Sequence, residues 1–189
     1  LSTLTGGGRV TFDTDGVLIV TSATGTSGSK LRTRLMGVAD DIFAGSPLAG
    51  VKILGNNQGT DMDAYFGLGT PTATGGAIVY TIRHAGFKIL RAASGTESLF
   101  ATQADGTTET ASAALVTVAT QTIELIIKGN GTTSFDYYTR VNGAALSSAT
   151  NITANVPTAG NVPFMSVMVS NNAVASNTDF YLHGLFYER

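Results

Sequence analysis

Cysteine and tryptophan are both absent from this 189-residue chain, proline occurs only 4 times, and charged residues make up only 13%. Without cysteine there is no disulfide framework and no thiolate zinc site. Without tryptophan, any stacking on a ligand falls to tyrosine or phenylalanine. Apolar runs are short, so no segment reads as a membrane-spanning helix. No secretory signal or transit peptide is read at the N-terminus, which begins at Leu1. The charge deficit is large, because soluble domains usually carry about 25% charged residues. A formal net charge of -2 gives no bulk attraction to nucleic acid or an anionic membrane. Disorder is excluded too, since it pairs low hydrophobicity with high net charge, and here 43% of residues are hydrophobic.

What is present is strand chemistry. Threonine is the commonest residue and glycine occurs 23 times. Arg9 to Asp13 alternates polar and apolar, Asp15-Gly16 follows, and Val17 to Thr21 is β-rich; an Asp-Gly pair between such runs predicts a hairpin. Val51 to Leu54, Ala64 to Leu68, Gln121 to Lys128, Phe164 to Ser170 and Asp179 to Tyr187 read as strands. Ala77 to His84 and Phe87 to Arg91 read as a hairpin turning at Ala85-Gly86. Thr133 to Val141 runs into Asn142-Gly143, a second strong turn signal. About a dozen short strands with Gly, Asn, Thr and Pro turns predict an all-β sandwich or barrel. No long 3.6-residue period argues for helices. The length suits one domain. The chain divides into an N-terminal arm, residues 1–8, and a single β-sandwich domain, residues 9–189.

The candidate chemistry is sparse. Asp13-Thr14-Asp15-Gly16 lacks the later Glu of an EF-hand loop, and Asp40-Asp41 and Asp61-Met62-Asp63 read as turn or capping residues. His84 and His183 are isolated from any nucleophile motif, and no phosphate-binding or dinucleotide loop occurs. The expectation is a protein that is not an enzyme, with no cofactor and no metal. The six tyrosines mostly alternate with apolar residues and are expected in the core.

Two patterns point to binding. Lys30, Arg32 and Arg34 alternate with Leu31, Thr33 and Leu35, so the three cations share one strand face about 7 Å apart. They are the expected contact with a capsid or other protein partner. The stretches from Val141 to Thr178 and from Ala64 to Ile82 contain no Asp, Glu, Lys or Arg. Interface cores are depleted in charge, so both blocks are expected to be covered by other chains. Asn171 and Asn172 are the candidate glycan contacts.

The order of segments from about Met62 to Tyr187 resembles a known family. Asp63-Ala-Tyr-Phe-Gly-Leu-Gly69 precedes a Gly-rich loop, Thr122 to Ile127 is a central strand, and Thr139-Arg-Val-Asn-Gly143 forms a turn. A Pro-containing loop then leads to Phe164-Met-Ser-Val-Met-Val169 and a closing Asp179-Phe-Tyr-Leu-His183. This is similar to the concanavalin A-like (lectin/glucanase, laminin-G-like) jelly roll of tailed bacteriophage virions. The resemblance implies a jelly-roll β-sandwich of two antiparallel sheets. It implies no glucanase activity, because the two-Glu-and-Asp cluster of those enzymes is missing: none of Glu97, Glu109, Glu124 and Glu188 has a carboxylate two positions away. The expected function is that of a non-enzymatic bacteriophage virion structural protein. Capsid decoration or cementing through protein–protein contacts is the first reading. The alternative is a carbohydrate-binding, host-adhesion module of a head or tail fibre. The expected partners are copies of itself (a homo-oligomer, with a trimer favoured), the major capsid protein or other virion proteins, and host glycans under the alternative. No nucleic acid and no membrane partner is expected, and the location is the virion, on the capsid surface or tail.

Overall fold

The computed structural model describes residues 2–5, 9–13, 16–20, 28–34, 43, 46–57, 62–69, 71–73, 78–91, 97–118, 121–158, 164–170 and 179–188; up to residue 34 the description is of the backbone and its pairing. All regular elements among these residues are strands. They are β1 (Ser2–Thr5), β2 (Arg9–Asp13), β3 (Gly16–Val20), β4 (Gly28–Arg34), β5 (Leu48–Asn57), β6 (Met62–Gly69), β7 (Thr72–Ala73), β8 (Ile78–Val79) and β9 (His84–Arg91). The remainder are β10 (Glu97–Ala104), β11 (Glu109–Ala111), β12 (Val116–Thr117), β13 (Thr122–Gly129), β14 (Phe135–Val141), β15 (Thr150–Ile152), β16 (Phe164–Ser170) and β17 (Asp179–Glu188).

Two sheets contain nearly all of them. An eight-stranded sheet runs β1-β4-β16-β6-β9-β10-β11, with β12 also on β10. A seven-stranded sheet runs β15-β14-β13-β5-β17-β3-β2. Pairing within both is antiparallel. Strands distant in sequence lie side by side, as β5 does between β13 and β17 and β16 between β4 and β6. The expected jelly-roll sandwich is therefore what forms.

The period-two alternation explains the layers. Phe66, Leu68, Phe87, Ile89, Leu99 and Val167 are buried from one sheet. Val51, Ile53, Ile123, Leu125, Tyr137 and Phe180 are buried from the other. Edge-on aromatic pairs tie the layers together: Phe66 to Phe180 at 5.6 Å and Phe87 to Tyr137 at 5.5 Å between ring centroids. Each large apolar side chain buried this way contributes about 1.5–3 kcal/mol.

Three local expectations have clear outcomes. Arg9–Asp13 and Gly16–Val20 do pair as a hairpin. At Asn142-Gly143 both residues take positive φ, 49° and 71°, as a hairpin-type turn needs. Ala85-Gly86, however, is not a turn: β9 passes straight through it and residues 80–83 turn instead. The reason is close packing. Gly86 sits opposite Gly67 on β6 and Thr102 on β10, so the glycine serves a tight mid-sheet contact rather than a bend. Of the segment expected as an arm, Ser2–Thr5 pairs antiparallel with β4 at the end of the eight-stranded sheet.

The uncharged block from Ala64 to Ile82 is interior in part. Ala64, Tyr65, Phe66 and Leu68 are fully buried, and Ile78 and Tyr80 nearly so. Val79, Thr81 and Ile82 of the same block are exposed. The other block differs, since residues 142–149 are all exposed.

Candidate functional site

The outer face of the eight-stranded sheet carries most of the buried polar chemistry. On β9 the inward residues Ala85, Phe87 and Ile89 alternate with His84, Gly86 and Lys88, which face away from the main core. A short hairpin, β7 with β8, covers this face. The Asp63 carboxylate accepts the Ile78 backbone N–H at 3.0 Å and holds the hairpin down. Beneath it Tyr65, Ile78, Tyr80 and Met168 form a second small apolar cluster.

A chain of polar side chains runs through this layer. The Lys88 ammonium donates to Glu109 at 2.5 Å and lies 4.9 Å from the centre of the Tyr80 ring. Thr102 Oγ1 stands 2.6 Å from the same Glu109 oxygen, and its one hydroxyl proton is shared between that oxygen and the His84 ring. His84 Nε2 lies 3.0 Å from Thr102 Oγ1, and His84 Nδ1 lies 2.7 Å from the Ile82 carbonyl oxygen. That carbonyl only accepts, so Nδ1 carries the proton. The Tyr65 and Tyr80 rings pack on the imidazole at 5.3 and 5.8 Å. Burial dominates the His84 titration and lowers its pKa to about 4, against the opposing pull of the Ile82 bond.

The pH consequence has a definite sign. His84 is neutral in the fold, whereas an unfolded His has a pKa near 6.5. The unfolded chain therefore binds more protons between those values, and stability falls as pH drops from about 6.5 towards 4. Between pH 7 and pH 5 the expected loss from this group is about 2 kcal/mol. Urea unfolding of wild type and His84→Gln at both pH values tests this. An equal pH decrement in the two proteins would refute it.

The polar layer supports a rim of loops at one end of the sheet. His84 anchors the 80–83 turn through Ile82. Arg83 Nε donates to the Asp105 carbonyl at 3.0 Å, tying that turn to the β10–β11 loop. Asp105 Oδ1 accepts from the Thr107 N–H, the Thr107 hydroxyl and the Thr108 N–H at 2.8, 2.8 and 3.0 Å. These bonds, Thr108 first, hold its carboxyl below the usual carboxylate pKa. Asn155, at a positive φ of 52°, donates to Thr110 at 2.8 Å, adding a third loop. The result is a set of exposed and half-buried hydroxyl, amide and carboxylate groups fixed before any ligand arrives.

Sequence reasoning placed its site residues elsewhere. Lys30, Arg32 and Arg34 lie on β4, in register with Met168, Ser166 and Phe164 of β16; their side chains lie outside the described residues. Asn171 and Asn172 lie wholly outside them. His84, expected to be isolated, joins Lys88, Thr102 and Glu109. The signal for this was the alternation His84, Gly86, Lys88 opposite an apolar face. His183 is exposed at a register skip in β17 between Leu182 and Gly184. Tyr65, Tyr80 and Tyr137 are buried, as expected. Among the described residues, no group of three His, Asp or Glu could hold a metal.

The outer face of the seven-stranded sheet differs in character. A recess of about 330 Å³ opens there over Lys52, Glu124, Ile126, Gly184, Leu185 and Phe186. Leu185 and Phe186 are 37% and 47% exposed.

No protein-family model and no curated protein matches the chain by sequence. Solved structures do match by fold. The legume lectin-like domain of Entamoeba histolytica aligns over 100% of this chain and 89% of its own, at 13% identity and a TM-score of 0.58. The exoplasmic/lumenal domain of VIP36, solved in a Ca2+/Man3GlcNAc-bound form, aligns over 99% and 82% at 12% identity and a TM-score of 0.60. The CBM2 module of the evolved Dit of Lactobacillus casei BL23 phage J-1 aligns over 97% and 90% at 10% identity and a TM-score of 0.53. At these identities the likeness concerns the fold, and it agrees with the strand order described above: the chain is a concanavalin A-like, legume-lectin-like jelly roll.

Proposed function

We propose that this chain is a non-catalytic binding module of a bacteriophage virion whose polar loop rim holds a host glycan. The observation carrying the reading is the preorganised rim of Arg83, Asp105, Thr107 and Thr108. Sugar hydroxyls are bound by fixed donors and acceptors, and rigidity lowers the ordering cost. The fold is shared with lectins, and one fold neighbour is a module of a phage protein. The carboxylates nearest the rim suit binding better than hydrolysis. Asp105 Oδ1 is filled by Thr107 and Thr108, and Glu109 is engaged by Lys88 and Thr102, so neither is poised as a general acid or base.

A second reading, capsid decoration, is favoured by the exposed, uncharged segment 142–149. A glycan array with the purified protein separates the two. The glycan reading expects binding that falls at least about 10-fold in Asp105→Ala, the loss of one charge-assisted hydrogen-bond partner. A blank array, with the protein retained on isolated capsids, establishes decoration instead. Cleavage of a bound glycan would overturn the non-catalytic clause.

A further inference from the structure

We infer that the outer face of the seven-stranded sheet is a two-fold, self-complementary interface that takes a second copy of this chain. The argument rests on strand register. Residues opposite one another on β17, β5, β13 and β14 form straight rows across the sheet. The middle row is Phe186, Gly50, Ile126 and Tyr138. The Phe186 ring lies directly over Gly50, which keeps this row low and apolar. The row on one side is Gly184, Lys52, Glu124 and Arg140. The row on the other side is Glu188, Leu48, Lys128 and Asp136.

Charge signs alternate within the charged rows and reverse between them. Along β13, Glu124 and Lys128 flank Ile126; along β14, Arg140 and Asp136 flank Tyr138. A second copy placed face to face, with its two-fold axis along the middle row, exchanges the two outer rows. Glu124 then faces the second copy's Lys128, and Arg140 faces the second copy's Asp136. The reciprocal pairs form at the same time, as an isologous interface requires. The apolar residues of the middle row meet their own counterparts. The recess at Gly184 and Lys52 receives the second copy's Glu188. Lys52 makes no ion pair among the described residues, so it is available to that acid.

A two-fold parallel to the strands, midway between β13 and β14, also sets opposite charges together, but it carries β17 past the β15 edge and leaves Phe186 uncovered. A shift by one row sets a charged row against the apolar one. Strands stay aligned under this two-fold, as in face-to-face sheet packing. The four strands of these rows, β17, β5, β13 and β14, spaced about 4.8 Å apart with about 25 Å of usable length, give roughly 500 Å² per copy, the range of weak, reversible interfaces of under about 1,200 Å² in total. The dimer takes nothing from the loop rim, which belongs to the other sheet, so each copy's rim remains open.

The test is a charge exchange read by sedimentation equilibrium of the full chain. Wild type is expected to be a dimer whose dissociation constant rises with salt, as screened pairs require. Glu124→Lys and Lys128→Glu each place like charges face to face, and each is expected to weaken self-association at least about 10-fold, or 1.4 kcal/mol. Mixing the two variants restores opposite pairs at both positions, so the mixture is expected to re-form a dimer. A variant that had merely lost its fold could not be rescued by mixing. A monomeric wild type, a trimer, or a mixture that stays monomeric would each overturn the interface.

Discussion

Gly86→Val is expected to abolish folding, and Gly86→Ala to cost about 3 kcal/mol, the upper end for overpacking a tight site. A Cβ at this position would lie 2.6 Å from the Phe66 carbonyl oxygen and 2.6 and 2.7 Å from the Tyr65 ring. The first of these atoms is backbone in the middle of a sheet and has nowhere to go. The second belongs to a fully buried ring whose hydroxyl donates to the Leu68 carbonyl at 2.5 Å. Gly67, directly opposite, is as crowded, since its Cβ would lie 2.5 Å from Gly86 Cα. Two adjoining glycines thus make the groove in which Tyr65 lies across the sheet. Gly184→Ala is the control, because nothing stands within 4 Å of its Cβ position, and a change within about 0.5 kcal/mol is expected. Thermal melts of the variants check this; a Gly86→Ala protein that melts with wild type would disprove the groove.

Lys88→Ala is expected to cost about 2–3 kcal/mol. Its side chain is 11% exposed and that of Glu109 25%. Removing one member of such a pair leaves the other charge in a poorly solvated place, which in full burial costs about 3–5 kcal/mol; the residual exposure reduces this. The loss also removes the cation from the Tyr80 ring. Lys88→Met with Glu109→Gln is expected to recover most of the stability, because no unpaired charge remains. Urea unfolding of wild type, Lys88→Met, Glu109→Gln and the double variant gives the coupling energy, expected above about 1 kcal/mol. In the dissociated chain the Arg140–Glu124 pair, 39% and 28% exposed, is expected to couple by less than that. Equal coupling at the two sites would mean that burial does not set the difference.

The contrast between these two pairs explains how far the sequence could be read. Arg140 and Glu124 sit on consecutive strands joined by an obvious turn, so alternation alone sets them side by side. Lys88, Thr102 and Glu109 are separated by 14 and 7 positions, and their meeting depends on β11 folding back along β10. No local pattern states that. The sandwich itself was legible because each strand advertises its buried side every second residue. Gly86 was misread for the same reason: a glycine between two apolar runs fits a bend or a tight crossing equally well, and only the neighbours Gly67 and Tyr65 decide. No motif in the sequence marks the rim residues Asp105 to Thr108. Their value comes from Arg83, 22 positions earlier, which joins that turn to the next.

The outermost strands of both sheets are short. β11 and β15 have three residues each, β1 four and β2 five, against eight to ten in β5, β6, β9 and β17. A short border offers few unpaired backbone groups, and such borders resist lateral addition of foreign strands. Many copies can therefore crowd together at high local density without fusing into a continuous ribbon. Contacts between neighbours are confined to side chains on the broad faces, where they can be matched, broken and re-formed.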